Sequence, residues 1–157
     1  NSTLKQDKNG ALHGELLIND FLLTQTPFFM KAATLLGIVD AIRGEEYISF
    51  DKAIIPFILT AKNEIEFDDA VAYGTTMGIT LRGKMSSNNL DLSGSVVPAY
   101  ALNSFFGKIP LIGTIFSGEK GGGLFGVTYT ITGTLKKSQF EFNPASLLAP
   151  GIFRRLF

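Results

Sequence analysis

The chain has 157 residues, and its 14 Lys and Arg residues balance its 14 Asp and Glu residues, so it lacks the basic surface that nucleic-acid binding requires. Only 18% of the residues are charged, against a usual level of about 25%. This apolar composition indicates either a lipid-like or protein partner, or a piece of a larger protein that exposes a former interface. The absence of cysteine excludes disulfides and thiolate metal sites.

A chain of this length fits one domain, which we expect to span residues 1–157. The polar residues 1–10 should fray or form a strand stub, with fraying up to residue 13. Gly14–Thr24 is predicted to be a strand. Apolar residues at three- and four-residue spacing predict a long helix over Phe28–Ile42, ended by Gly44 unless Gly37 breaks it.

After this helix the apolar period changes to two, which is typical of strands. Predicted strands cover Tyr47–Asp51, Ile54–Thr60, Glu64–Asp68, Ile79–Met85, Leu90–Val97, Leu124–Thr134 and Gln139–Asn143. Pro56 fits an edge position or the start of a strand. Turns recur about every ten residues, which indicates an antiparallel meander. We therefore expect a mainly β (α+β) fold, in which one long helix and a broken helical hairpin cover one face of a twisted antiparallel sheet.

The longest apolar run is Val96–Tyr129, which contains Pro98, Pro110 and the triple glycine Gly121–Gly123. Three structures remain open for it: a buried helical hairpin, a membrane-contacting loop, or a clamp that closes the end of an apolar groove. Its best window, Pro98–Phe116, is interrupted and falls short of the clean run of about 20 apolar residues that a transmembrane helix needs. No membrane span is predicted.

Residues that could carry catalysis are few. His13 is the single histidine, and no cysteine could act as its nucleophile. Asp68 and Asp69 are adjacent, so on a regular strand they would face opposite sides, and a solvated strand end is the favoured interpretation. The loop Ser117–Gly123 lacks the spacing of a phosphate-binding loop. We expect no enzyme activity, no metal and no cofactor.

The C-terminal segment is aromatic and basic. A membrane-interface anchor could be formed by Phe153, Arg154, Arg155 and Phe157. Two cations supply only about 2 kcal/mol of attraction to an anionic surface, so a solvated tail is an equal alternative.

Several phrases in a fixed order resemble the C-terminal region of AsmA-like proteins of Gram-negative bacteria, especially their long TamB-related members. The phrases are Asp20-Phe21, Leu35-Leu-Gly-Ile38, Gly44, Ile48-Ser-Phe50, Val97-Pro-Ala-Tyr-Ala-Leu-Asn103, Ile109-Pro-Leu-Ile-Gly113, Gly122-Gly-Leu-Phe-Gly-Val-Thr-Tyr129 and Asn143-Pro-Ala-Ser-Leu-Leu-Ala-Pro-Gly-Ile-Phe-Arg-Arg-Leu-Phe157. They cover nearly everything after Gly14.

The resemblance implies a periplasmic segment of a longer chain that an N-terminal helix holds in the inner membrane. It also implies a β-sheet curved into a trough with an apolar inside, along which phospholipids move towards the outer membrane. Under this hypothesis, a lipid-contacting or membrane-facing patch would consist of Phe105, Phe106, Ile109, Leu111, Ile112, Ile115 and Phe116. Ordinary core packing is the alternative for these residues.

The leading hypothesis is a non-enzymatic module for phospholipid transport between the inner and outer membranes and for outer-membrane maintenance. Its partners would be phospholipid or a membrane surface. The alternative is a protein-interaction cap that docks an outer-membrane or assembly partner without binding lipid.

Overall fold

Eight strands form a single antiparallel sheet in which every strand pairs with its neighbours in sequence, β1 to β8. This computed structural model describes residues 2–8, 10–100 and 126–147. The strands are β1 (Ser2–Gln6), β2 (Leu12–Thr24), β3 (Tyr47–Leu59), β4 (Ile65–Tyr73), β5 (Met77–Met85), β6 (Leu90–Pro98), β7 (Val127–Thr134) and β8 (Lys137–Asn143). The predicted mainly β meander with a helical cover is confirmed at this level.

The helix is shorter than predicted. Helix α1 spans Pro27–Leu36, with Pro27 in its first turn, and a separate 3-10 turn covers Val39–Ala41. Gly37 ends the helix because it adopts a left-handed conformation with φ 71°, and its N–H and that of the next residue bond back to the last turn. Glycine reaches this conformation without the steric penalty of a side chain, so the helix ends at Leu36. The apolar period continues past residue 36, which is why a longer helix was predicted.

The core lies between α1 and one face of the sheet. The helix contributes the buried residues Phe29, Ala32, Ala33 and Leu36. Opposite them lie Ile48, Phe50, Met77, Val96, Val127 and Tyr129. Two small alanines on the helix let its backbone approach the sheet closely. The core face is thereby fixed as the side of β6 that carries Val96 and the side of β7 that carries Val127.

A β-bulge in β4 shifts the strand register. Between the pairs Ile54–Val71 and Phe57–Phe67, β3 advances three residues while β4 advances four. The β4–β5 ladder shows the same extra residue. It lies at Asp68-Asp69, where Asp69 has φ 51°. Phe67 and Ala70 consequently face the same side of the sheet.

Two sequence predictions about residues near this bulge were wrong. Asp68 and Asp69 are exposed as predicted, but they lie within a strand and not at its end. Pro56 lies in the interior strand β3 and pairs with Glu15 of β2, whereas an edge position or a strand start was predicted. The β3–β4 ladder is interrupted at this point, and an interruption of this kind is where an interior strand tolerates proline.

The predicted strands over 47–51 and 54–60 are one continuous strand, β3. The broken helical hairpin predicted after Pro98 and most of the C-terminal segment lie outside the described residues. Of the C-terminal segment, the structure describes a 3-10 turn over Pro144–Leu147. The two described flanks of the long apolar run pair with each other through Val96 and Val127.

Candidate functional site

An apolar row crosses the entire sheet at right angles to the strands. Successive strand pairings connect Leu4, Gly14, Phe57, Phe67, Gly83, Leu92, Ile131 and Phe140, one residue from each strand. Paired residues of an antiparallel sheet face the same side, so these side chains form one line. The Phe57 ring lies against Gly14, where a side chain at residue 14 would collide with it.

A second row runs beside the first on the same face. It connects Gln6, Leu12, Leu59, Ile65, Met85, Leu90, Gly133 and Ser138. Its five central large side chains are all apolar. The two rows together define what we call the apolar lane. Eight strands spaced about 4.8 Å apart make this lane roughly 34 Å long.

The opposite face is polar at the same level of the sheet. The row between the two apolar ones connects Lys5, His13, Ile58, Glu66, Lys84, Asp91, Thr132 and Gln139. Lys84 Nζ donates a hydrogen bond to Glu66 Oε1 at 2.8 Å, and this bond and the charge attraction between the two groups raise the pKa of Lys84. The sheet is therefore amphipathic along the whole lane.

The lane lies on the same face as α1, next to it. Leu92, Gly94 and Val96 are every second residue of β6, so they face the same side of the sheet. Strand β6 pairs with β7 in an unbroken register. The ring of Phe28, in the first helical turn, lies 5.6 Å from the ring of Phe140 at the β8 end of the lane. The helix thus borders the lane at β8 and covers only part of the apolar face.

Exposure changes along the lane. At the β1 end Leu4 is 62% exposed, whereas on β6 Leu90 and Leu92 are only 5% and 8% exposed. The phenylalanines Phe57, Phe67 and Phe140 are partly buried. An exposed Leu in an edge strand is common, but here it continues a row of apolar side chains that crosses seven further strands.

The residues that the sequence singled out as lipid-contacting lie outside the described residues. These are Phe105, Phe106, Ile109, Leu111, Ile112, Ile115 and Phe116, and the anchor candidates Phe153, Arg154, Arg155 and Phe157. The loop Ser117–Gly123 also lies outside them. These assignments stay predictions.

The single histidine lies on the polar face. His13 Nε2 is 3.2 Å from Asp7 Oδ2, and both side chains are exposed. Within residues 2–8, 10–100 and 126–147, no group of three or more His, Asp or Glu residues could hold a metal ion. In the same ranges, no helix has the length and apolar composition needed to cross a membrane.

Comparison with known proteins gives no match: no protein-family model, curated protein or solved structure is significantly similar to this chain. The site is therefore defined by the geometry of the chain itself.

Sequence reasoning missed the lane residues as site candidates. It placed Phe57, Phe67 and Leu92 in strands but sought the site in the longest apolar run. The available signal was the strand period, because each of these residues is flanked on both sides by residues of the opposite face. What the pattern could not supply was the pairing register, which places residues 4 and 140 in one row.

Proposed function

We propose that this chain is a non-enzymatic module that binds the acyl chains of phospholipids along the apolar lane. The observation that carries the proposal is the continuity of two neighbouring rows: the first crosses all eight strands without a polar side chain, and the second is apolar from β2 to β6. An acyl chain in one bilayer leaflet spans about 15 Å, half of the hydrocarbon core, so the lane is long enough to hold it lying across the strands.

The chemistry of the lane suits hydrocarbon. Its two rows contain no charged residue, and its polar members, Gln6 and Ser138, lie on the edge strands. A fixed charge would disfavour acyl chains because its desolvation costs several kcal/mol. Contact between an acyl chain and the apolar side chains of the lane is instead favourable by about 25 cal/mol for each Å² of apolar surface removed from water.

The proposal includes a curved sheet whose apolar face forms the inside of a trough, with α1 covering one side. It also includes the wider role implied by the resemblance to AsmA-like proteins: a periplasmic segment of an inner-membrane-anchored protein that moves phospholipid between the two membranes and maintains the outer membrane. The support for this wider role is the order of the sequence phrases, and the support for acyl binding is the lane.

The test is native mass spectrometry of the purified chain together with lipid extraction from the same sample. Wild-type protein is expected to carry phospholipid, and Phe57→Glu is expected to lose it because the charge lies in the first row of the lane. Ile58→Glu is the matched control, since Ile58 is the next residue on β3 and faces the polar side between His13 and Glu66. Circular dichroism checks that both variants fold.

Equal lipid loss in Phe57→Glu and Ile58→Glu, with both folded, would contradict binding on the lane. A lipid-free wild-type chain that also fails to take up phospholipid from vesicles would favour the second hypothesis, a cap that docks an outer-membrane or assembly partner.

A further inference from the structure

A polar recess lies on the face of the sheet opposite to the apolar lane. Its volume is about 440 Å³, within the range of roughly 300–1,000 Å³ that small-molecule pockets occupy. It crosses strands β4 to β8. Because it lies on the other face, an acyl chain in the lane does not reach it, and its ligand is a separate question.

Two cross-strand rows of polar side chains form most of the recess, and the apolar Val71 of β4 also lines it. The first connects Arg82, Ser93, Thr130 and Glu141. The second connects Ser95, Thr128 and Asn143, with Thr80 bonded to Ser95 at its β5 end. The small hydroxyl side chains of β6 and β7 form a low floor between larger groups on the flanking strands. Asp69, at the β4 bulge, adds a carboxylate beside the strand of Arg82.

Some polar side chains of the recess already form hydrogen bonds with the backbone of the sheet. Thr80 Oγ1 accepts a hydrogen bond from Ser95 N at 2.9 Å, and Ser146 Oγ accepts one from Thr128 N at 2.9 Å. Ser93 and Thr130, in contrast, make no side-chain hydrogen bond to another described residue. The centre of the first row therefore presents two hydroxyl groups, each able to donate and accept.

The charged side chains of the first row can also bind a ligand. Neither Arg82 nor Glu141 forms an ion pair with another residue in the described part of the chain, and both are exposed. They lie at opposite ends of the row, three strand spacings or roughly 14 Å apart. The row thus offers a guanidinium donor, two hydroxyls and a carboxylate acceptor in one line.

This set of groups selects a ligand class. One cation with two carboxylates gives the recess no excess positive charge, so it is poorly suited to phosphate or another anion. A floor of serine and threonine is poorly suited to hydrocarbon, because burial would leave the hydroxyl groups without partners. A neutral ligand with many hydroxyl groups matches it, since each ligand hydroxyl both donates and accepts.

We propose that the recess on β4–β8 binds a neutral saccharide. Glu141 and Arg82 form hydrogen bonds with hydroxyl groups at the two ends of the saccharide, and Ser93 and Thr130 contact the sugar between them. Acyl binding on the opposite face is not required for this, so either proposal can fail without the other.

The test is isothermal titration of the whole chain with three neutral trisaccharides, maltotriose, triacetylchitotriose and mannotriose, and saturation-transfer NMR to report direct contact. At least one trisaccharide is expected to bind. Glu141→Gln and Thr130→Val should each weaken that binding about tenfold or more, because the first replaces a charged acceptor by a weaker neutral amide and the second removes a hydroxyl group from the first row. Thr132→Val is the matched control, since Thr132 faces the same side of β7 but pairs with Asp91 and Gln139 outside the recess.

Phe57→Glu, on the apolar lane, should leave saccharide binding unchanged. Absence of binding for all three trisaccharides overturns the proposal. So does binding that Glu141→Gln and Thr130→Val weaken no more than Thr132→Val does. Tighter binding of glycerol 3-phosphate or inorganic phosphate, lost in Arg82→Gln, would reassign the recess as an anion site.

Discussion

The hydroxyl of Tyr129 on β7 donates a hydrogen bond to the backbone carbonyl of Thr80 on β5, with 2.6 Å between the two oxygens. The two residues are 49 positions apart, and β6 lies between their strands. The tyrosine crosses β6 at Gly94, where a side chain would collide with the Thr80 carbonyl and lie 2.7 Å from the tyrosine oxygen. This bond connects the core beneath α1 to the strand that forms the β5 side of the polar recess.

Tyr129→Phe should lower the free energy of unfolding by about 1–3 kcal/mol, because it leaves the Thr80 carbonyl without the tyrosine donor in a partly buried site. Tyr129 is 3% exposed. Tyr47→Phe is the control, since Tyr47 is half exposed and its substitution should change stability by less than about 0.5 kcal/mol. Urea unfolding followed by circular dichroism measures both, and equal effects would show that the bond contributes nothing.

The same hydroxyl predicts a loss of stability at alkaline pH. Burial raises the pKa of Tyr129 well above its ordinary value of 10.0. The folded protein keeps the proton at pH values where the unfolded chain releases it. The free energy of unfolding should therefore fall as the pH rises beyond about 10, while this contribution is fully present below that pH.

Urea unfolding between pH 8 and pH 11.5 measures this dependence. Tyr129→Phe should make the alkaline part of the profile shallower. Profiles of the same slope in the wild type and the variant would contradict the assignment to Tyr129.

Gly94→Ala tests the close approach at the crossing point. The added methyl group would collide with the Thr80 carbonyl, so we expect a destabilisation of about 1–3 kcal/mol. Ser93→Ala, at the preceding residue of β6, is the control and should cost much less. In a Tyr129→Phe background the cost of Gly94→Ala should fall but not vanish, because the collision with the carbonyl remains. A full cost in both backgrounds would mean that the tyrosine oxygen does not approach residue 94.

Asp69→Val tests the bulge in β4. Asp69 has φ 51°, a conformation that aspartate tolerates and that a β-branched residue strongly disfavours. We expect Asp69→Val to cost about 1–2 kcal/mol more than Asp68→Val, and Asp69→Gly to cost nothing or to stabilise. Thermal unfolding compares the three variants. The same stability for Asp68→Val and Asp69→Val would contradict a bulge centred on residue 69.

The strand period and the turn residues were sufficient to predict the meander. Gly74 begins the turn between β4 and β5, which Gly74 N closes by a hydrogen bond to Met77 O, and Ser86 and Asn89 close the next turn through a backbone hydrogen bond of 2.8 Å. These signals are local, and in a sheet of consecutive antiparallel strands local signals determine most of the order. The end of α1 was not determined in this way, because Gly37 and Gly44 both suit a helix end and the period continues between them.

The candidate site depends on register, which is not local. The β4 bulge moves Phe67 onto the row of Phe57 and Leu92, and no pattern within β4 alone fixes which partner each residue meets. The recess depends on the same information. Within each strand, the serines 93 and 95 of β6 and the threonines 128 and 130 of β7 follow the usual alternation of polar and apolar residues. Only the pairing of β6 with β7 brings them together as the floor of the recess.

Photocrosslinking at single positions tests acyl binding on the lane most directly. A photoreactive phenylalanine analogue is placed in turn at residues 57, 58 and 59 of β3, and each protein is irradiated with vesicles of radiolabelled phosphatidylethanolamine. Because Phe57 and Leu59 lie in the two rows and Ile58 faces the other side, the expected result is strong labelling at 57 and 59 and weak labelling at 58. Equal labelling at all three positions, or labelling at 58 alone, would contradict the account.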